Sequence, residues 1–444
     1  MKLIKNFFSY SVCLILVISF IGLIFFGALL KHHYSGGKKF KNLQKIAVFF
    51  ASIPTNARNM IKNRTINLDA PPKLKKHLHK KKFEQFIQNK REALFILPRY
   101  DHDISRSIVE VIDLKNFEVI HTYKNDVDEI NSKVQNTSEF ERLNIDDSPV
   151  RFQFRHPLIL DDGSLISDSE LSPEFKIDFC SNLIWINDEE AFHHSKELDH
   201  EGNIWIPGIL NPYPEYMHKY ISLFDDSIIK INTDGKILFN KSVIEILVTN
   251  QILERDYFDG SDKGDPIHLN DIEPTFNDTK YWKKGDVFLS ARHLSAIIHY
   301  RPDTDEVINY IKGPFNEQHD VDIISNKEIS IFNNNNFIIN NEYSEILIYN
   351  FETGLFSKMF NEQLKEEKFK TKTQGLSHIF KDGSLLVEEQ NFGRIILFNK
   401  EGKKEWEYVN KDKNGDIGLV SWSRIIEDKM FIKKFKSMIE NIKC

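Results

Sequence analysis

At 444 residues, with 41% hydrophobic and 28% charged side chains, the chain has the composition of a folded protein and is excluded from the disordered class. Its net charge of −6 and pI near 6.3 supply no basic field to hold phosphates, which excludes nucleic acid as an expected partner. Three scattered cysteines, Cys13, Cys180 and Cys444, offer neither an internal disulfide framework nor a thiolate metal site.

From the N-terminus, residues 6–30 carry no charge, and the run from Ser11 to Leu30 matches ~30 Å of hydrocarbon at ~1.5 Å per residue. It exceeds the ~7–15-residue apolar core of a secretory signal, and no small-x-small site precedes Lys31, so residues 1–30 are expected to form an uncleaved transmembrane anchor, with membrane contact through residues 7–30. Lys2 and Lys5 precede the run, while Lys31, Lys38, Lys39 and Lys41 follow it. Counted alone, these charges place the C-terminal side in the cytoplasm, but large domains cross largely regardless of such counts. Residues 31–92 are polar and basic and read as a stalk. A charged helix is expected over Leu74 to Glu92, serving as a solvated spacer or as a contact for lipid headgroups.

Beyond Ala93 the texture changes to short runs rich in Ile, Val, Phe and Tyr, separated by Asp, Asn, Gly and Lys, the pattern of many short strands. ALFILPRY comes first; SIVEVIDL follows, alternating with period two before a turn at Lys115 and Asn116. A phrase then recurs: a histidine, an alternating run, a turn and a second apolar run. It starts at His156 (HPLILDDGSLIS), His194 (HSKELDHEGNIWIP), His319 (HDVDIISNKEISIF) and His378 (HIFKDGSLLVEEQ), with a looser version at His268. Spacings of 38 to 74 residues fit propeller blades of roughly 40–50 residues with insertions. Hairpins such as AIIHYRPDTDEVINYI and GRIILFNKEGKKEWEYV supply outer strands, and five or six blade-like units follow Ala93.

The expected fold is therefore all-β, a propeller over residues 93–426. Innermost strands line a propeller's channel, so histidines at their starts converge although far apart in the chain. Over residues 427–444 a short C-terminal helix is expected, with Met430, Phe431, Phe435, Met438 and Ile439 on its apolar face. DKNGD, at residues 412–416, has the opening spacing of a calcium loop but lacks the later glutamate, and reads as a surface turn with no metal.

The combination FHHSKELDHEGNIWIP, DPIHLNDIEP, GDVFLSARHLSAIIHY, GPFNEQHDVDI and WSRI resembles the bacterial arylsulfotransferase family, in order, from about Ala93 to Ile426. The resemblance implies a six-bladed propeller that moves a sulfuryl group from an aryl sulfate to a phenol, without a nucleotide donor or other cofactor, through a sulfated histidine. Matched onto this chain, the nucleophile is His319 in Q-H-D. His268 and Asn270 come from H-L-N, Arg292 from S-A-R-H and His194 from H-H-S. The residue types suit the chemistry. A neutral imidazole is a competent nucleophile, Arg292 and Asn270 are apt donors for sulfuryl oxygens, and His268 or His194 can supply a proton to the leaving phenolate. The implied location is the periplasmic face of the inner membrane, on a single-pass anchor, with a homodimer as the assembly considered. Well-understood members are typically soluble exported proteins with a cysteine pair, whereas this chain keeps an anchor and has only Cys180 in its body.

Each assignment has a structural rival. His319 could cap a blade turn beside Asp320, Arg292 could bridge Glu273 or Asp286, and Asn270 could be a turn residue. His193 and His194 both fit H-H-S; His194 is preferred because its place before Ser195 parallels that of His319 before Asp320. His156 and His378 share the phrase position without a family motif. A non-catalytic propeller binding a ligand or protein at the same channel is the competing class. A quinone-dependent dehydrogenase propeller is disfavoured because the chain's 5 Trp show no repeated blade motif.

Overall fold

The computed structural model describes residues 2–34, 42–43, 46–47, 50–51, 71–88, 90–135, 148–210, 225–254, 265–336 and 343–444. Helix α1 (Lys2–Tyr34) belongs to one compact unit, and the described residues from 71 onward form a second.

In α1 the large apolar side chains from Leu14 to Phe25 are 55–67% exposed. Among the described residues, however, no helix is long and apolar enough to cross a membrane, so the transmembrane anchor expected over residues 1–30 is not shown. Most of the expected stalk, from residue 35 to 70, lies outside the described residues.

The second unit is an all-β, propeller-like arrangement. The charged helix expected over Leu74 to Glu92 is replaced by turns and a strand, β1 (Phe83–Gln85). It is followed by β2 (Leu94–Asp101), β3 (Arg106–Asp113) and β4 (Glu118–Tyr123), then β5 (Arg155–Ile159), β6 (Leu165–Asp168), β7 (Ser172–Ile177) and β8 (Leu183–Phe192). Next come β9 (Glu197–Leu198), β10 (Ile204–Ile209), β11 (Asp226–Ile231) and β12 (Ile237–Ser242), then β13 (Leu269–Pro274), β14 (Val287–Ala291), β15 (Ala296–Arg301) and β16 (Glu306–Ile311). The series ends with β17 (Val321–Ser325), β18 (Glu328–Asn333), β19 (Glu345–Asn350), β20 (Leu355–Met359), β21 (Leu376–Ile379), β22 (Leu385–Glu389), β23 (Arg394–Phe398), β24 (Lys404–Val409) and β25 (Arg424–Ile426).

These strands pair antiparallel in sequence order, as hairpin-linked blades do. Four separate blade-sized sheets result, β25-β2-β3-β4, β13 to β16, β17 to β20, and β21 to β24 with β1 on its outer edge. Six separate blades, as the resemblance implied, are not present among the described residues. Gly208 and Ile209 of β10 pair with Phe192 and Ala191 of β8, joining β5 through β12 into one eight-stranded sheet. β25 comes from the far end of the body and pairs with β2, Leu94 opposite Ile426.

The basic segment before Ala93 is not a solvated spacer because acids on the last sheet neutralise it. Lys76 and His77 meet Glu389, Lys80 meets Glu407, and fully buried Arg394 bonds both carboxylates at 2.6 and 3.1 Å. Phe83 packs on Phe117 with ring centroids 3.9 Å apart.

The core lies between neighbouring sheets. Leu94, Ile96, Val109 and Val111 pack against Phe152, Phe154 and Phe175. The helix Lys429–Asn441 closes that cluster. Asp428 caps it, accepting the Phe431 N–H at 2.7 Å, and Ile432 and Phe435 are buried while Phe431, Met438 and Ile439 pack partly. Met430, expected on the apolar face, is 83% exposed, and Ile432 takes its place. Cys180 and Cys444 form a disulfide with Cα atoms 5.1 Å apart, correcting the expectation that no pair exists: the helix returns the chain end to the β7–β8 turn.

Candidate functional site

At three of its five occurrences the recurring histidine phrase corresponds to a recurring backbone bend. His156, His194 and His268, together with Trp422, all occupy the left-handed region, with φ between 35° and 62°, where a non-glycine residue persists only if its surroundings hold it. Buried carboxylates do much of that holding by accepting backbone N–H groups from a neighbouring segment. Asp226 takes the N–H of His268 at 3.0 Å, Asp271 that of Val321 at 2.9 Å, Asp320 that of Ser377 at 2.9 Å, and Glu388 those of Trp422 and Ser423 at 2.7 and 2.8 Å. Burial raises the Asp271 carboxyl to about 7 and pushes that of Asp320 well above its ordinary range.

Three of the expected histidines meet. Ring centroids of His194 lie 5.3 Å from His268 and 6.4 Å from His319. Trp422 stands against His194 at 6.0 Å, His319 at 6.5 Å and His156 at 5.3 Å. His378 does not join them: its ring packs on Phe380 and its Nε2 lies 3.9 Å from Glu427.

His319 is buried, with both ring nitrogens engaged. The Gln374 N–H donates to Nε2 at 2.6 Å, which leaves the proton on Nδ1 to be donated to Asn334 Oδ1 at 2.7 Å. Burial, then the charges of Arg292 and His268, holds its pKa well below the usual imidazole value, so the ring is neutral. Gln374 is itself left-handed, at φ 67°. Its neighbour Gly375 has φ +121°, and a Cβ there would collide with the Phe332 ring.

His268 is in the opposite condition. Burial opposes its charge, but the hydrogen bond from Nδ1 to Asp265 Oδ2 and the carboxylates of Asp265 and Asp226 outweigh burial and raise its pKa. His194, pushed well down by burial and by surrounding cationic groups, shares a 2.6 Å Nδ1 to Nδ1 contact with His193.

Arg292 bridges neither Glu273 nor Asp286. Its guanidinium donates to Glu317 at 2.7 Å and to His293 Nε2 at 2.6 Å, and among the described residues its buried Nε has no partner. Asp286 is held instead by Arg301 and His299. Asn270, fully buried, donates to the Gln318 carbonyl at 3.0 Å, and its Oδ1 has no partner among the described residues.

Asp265, His268 and His293 have donor atoms within 4.8 Å of one another, close enough to chelate. The surroundings suit hydrogen bonding better than a cation. His293 Nδ1 donates to the Asp265 carbonyl at 2.6 Å, and the Arg292 guanidinium takes Nε2 and brings its own positive charge. His293 and Asp265 were overlooked in the sequence, although the first sits inside S-A-R-H and the second three residues before His268.

Arg155, Glu170, His194 and Trp422 line a crevice of about 10 Å³, room for about one water. An aryl ring therefore enters only if this wall parts, and the half-exposed Glu170, paired to Arg155 at 2.8 Å, lies on its outer side. A larger cavity of about 500 Å³, beside the C-terminal helix, shares no lining residue with it.

Fold and site together define a propeller-like β protein with converging imidazoles and a guanidinium beside them. The model of the arylsulfotransferase (ASST) family matches residues 156–411, more than half of the chain, and the chain belongs to that family. No curated protein matches it. Similar solved structures include a protein of unknown function from Bacteroides caccae, 11% identical over 76% of this chain and 100% of that one, with a TM-score of 0.47. Another is catalytically inactive virginiamycin B lyase from Staphylococcus aureus with quinupristin, 12% identical over 77% and 99%, TM-score 0.39. A third is Kuenenia stuttgartiensis hydrazine synthase, 11% identical over 66% and 71%, TM-score 0.38.

Proposed function

We propose that the protein transfers a sulfuryl group from an aryl sulfate to a phenol through a sulfohistidine on His319. The observation that carries this reading is that the His194 ring lies within 6.4 Å, between centroids, of both the His268 and the His319 rings, in a member of the arylsulfotransferase family. His319 Nε2 attacks sulfur after the Gln374 amide releases it. The aryl oxygen to sulfur bond breaks, and the phenolate takes a proton from His268, which Asp265 keeps charged. The Arg292 Nε–H faces a sulfuryl oxygen in the transition state, and Asn270 holds the Gln318–His319 backbone in place. Mass spectrometry after incubation with a chromogenic aryl sulfate tests the reading: a sulfuryl adduct on His319, absent in His319→Ala, is expected. Wild-type transfer rates in His319→Ala would end the assignment.

The second reading, a non-catalytic propeller that binds a ligand at the same mouth, is favoured by the engagement of both His319 nitrogens and the small crevice. Saturable ligand binding with no turnover on any aryl sulfate is its signature. In the sulfotransferase reading we count the eight-stranded sheet as two blade modules joined at β8 and β10, giving six. We also propose that α1 anchors the protein in the inner membrane with the β unit in the periplasm. Its exposed apolar surface supports insertion, and the Cys180–Cys444 disulfide supports an oxidising compartment. Release of the protein from membranes by alkaline carbonate would oppose it.

A further inference from the structure

His194 Nε2 is the side of that ring left to face the crevice it shares with Trp422, because Nδ1 is taken by His193 Nδ1 at 2.6 Å. Two imidazole nitrogens at that distance share one proton, so one donates and the other accepts. Which does so is decided one residue further back. His193 is buried at the end of β8, its backbone N–H fixed on the Pro207 carbonyl at 3.1 Å. Its Nε2 is buried and lies 3.2 Å from Asp226 Oδ1, and among the described residues it has no other partner. A buried nitrogen facing only a carboxylate carries the proton, since a bare lone pair there would face negative charge. Asp226 itself cannot turn away: it begins β11, and its other oxygen accepts the His268 N–H at 3.0 Å. With Nε2 of His193 protonated, its Nδ1 is the acceptor, His194 Nδ1 is the donor, and His194 Nε2 holds a free lone pair.

We infer that Asp226 and His193 are positioning residues that lock His194 with its basic nitrogen toward the acceptor, making His194 the group that takes the phenolic proton in the second half of the reaction. This rests on the sulfotransferase reading above and assigns the two proton-handling roles it left shared: His268, on Asp265, gives the proton to the departing phenolate, and His194, on His193 and Asp226, removes it from the incoming phenol. As the phenol oxygen bonds to sulfur, its proton passes to His194 Nε2. The sulfur to nitrogen bond of sulfated His319 breaks, and the electron pair returns to the imidazole. The new aryl sulfate leaves, His194 is left as imidazolium, and His268, neutral after the first half, regains a proton from solvent as His194 loses one. The arrangement follows the logic of an acid held by one carboxylate and a base oriented through another.

The test uses the full chain with ¹⁵N-labelled histidine. In the wild type the His194 ring is expected to be protonated on Nδ1 and bare on Nε2, and Asp226→Asn and His193→Gln are each expected to change that signature while Asp226→Glu restores it. In stopped-flow assays His193→Gln should form sulfated enzyme within about threefold of the wild-type rate, whereas Asp226→Asn, which also removes the acceptor of the His268 N–H and a carboxylate that supports the His268 charge, should slow that step as well. Transfer to phenols should fall on the order of 100-fold, with the deficit growing as acceptor pKa rises. An Nε2-protonated His194 in the wild type overturns the inference whether or not the protein turns over. So does an acceptor step in both variants with unaltered rate and acceptor dependence. A wild type that never forms sulfated enzyme removes the sulfotransferase reading and with it the assigned role, while the tautomer reports separately on the Asp226–His193–His194 arrangement.

Discussion

Replacing Arg292 with lysine separates what the guanidinium does for the fold from what it does for the reaction. Two of its nitrogens are committed, one to Glu317 at 2.7 Å and one to His293 at 2.6 Å, while Nε is buried with no partner among the described residues. Lysine brings one ammonium, which the Glu317 carboxylate will attract, so the ion pair survives and the Nε position empties. Because that pair is largely kept, the change in unfolding free energy should stay within about 1 kcal/mol. Losing a charge-assisted donor aimed at developing sulfuryl charge costs about 3–4 kcal/mol, or on the order of 100- to 1,000-fold in kcat. Steady-state kinetics on a chromogenic aryl sulfate, with a urea titration of the same preparation, measures both. If folded Arg292→Lys keeps kcat within threefold of wild type, the guanidinium serves architecture and the transition-state role is wrong.

The pH profile should report His268. Its pKa is raised in the folded protein, where Asp265 and Asp226 outweigh burial, so its imidazolium persists above the ordinary histidine value and donor cleavage falls as pH rises through the raised value. Asp265→Asn should move that alkaline limb of kcat to lower pH; an unmoved limb would reject the pairing. The same pair stabilises the fold fully below the unfolded histidine pKa, and this contribution is lost as pH climbs through the folded one. Cys180→Ser should lower the urea midpoint and abolish its sensitivity to reductant. With the cysteines separated by 264 positions in sequence, chain entropy sets an upper bound of about 5–6 kcal/mol, and an unchanged midpoint would show that the bridge constrains nothing. Phe435→Ala, truncating a ring 1% exposed in the cluster beneath the C-terminal helix, should cost about 3–5 kcal/mol by thermal or urea unfolding.

The β texture after Ala93 was legible because strand alternation and turn residues are local signals, and the histidine phrase was legible because it repeats along the chain, with the same left-handed bend at His156, His194 and His268. The meeting of His194, His268 and His319 followed from geometry that any radial arrangement of sheets imposes. What escaped was set by long-range partners. Lys76, His77 and Lys80 look like one face of a solvated helix until Glu389 and Glu407, over 300 residues away, are placed beside them. Met430 and Ile432 exchanged roles because a thirteen-residue helix offers two nearly equivalent apolar stripes, and only the docking angle chooses. The Cys180–Cys444 bridge and the Asp226–His193 contact carry no sequence signal, since both depend on where distant segments land. Joining of β8 to β10 through two residue pairs is likewise invisible to periodicity.

Pairing of β25 with β2 has a consequence for how the molecule is made. The edge that Leu94 to Ile96 presents must wait, unpaired, for a strand synthesised more than 300 residues later. Until Arg424 to Ile426 emerge, a nascent chain carries an open, hydrogen-bond-hungry edge that invites association with other chains. Such distant pairing slows folding, so C-terminally truncated forms should accumulate as aggregates rather than as a smaller working protein.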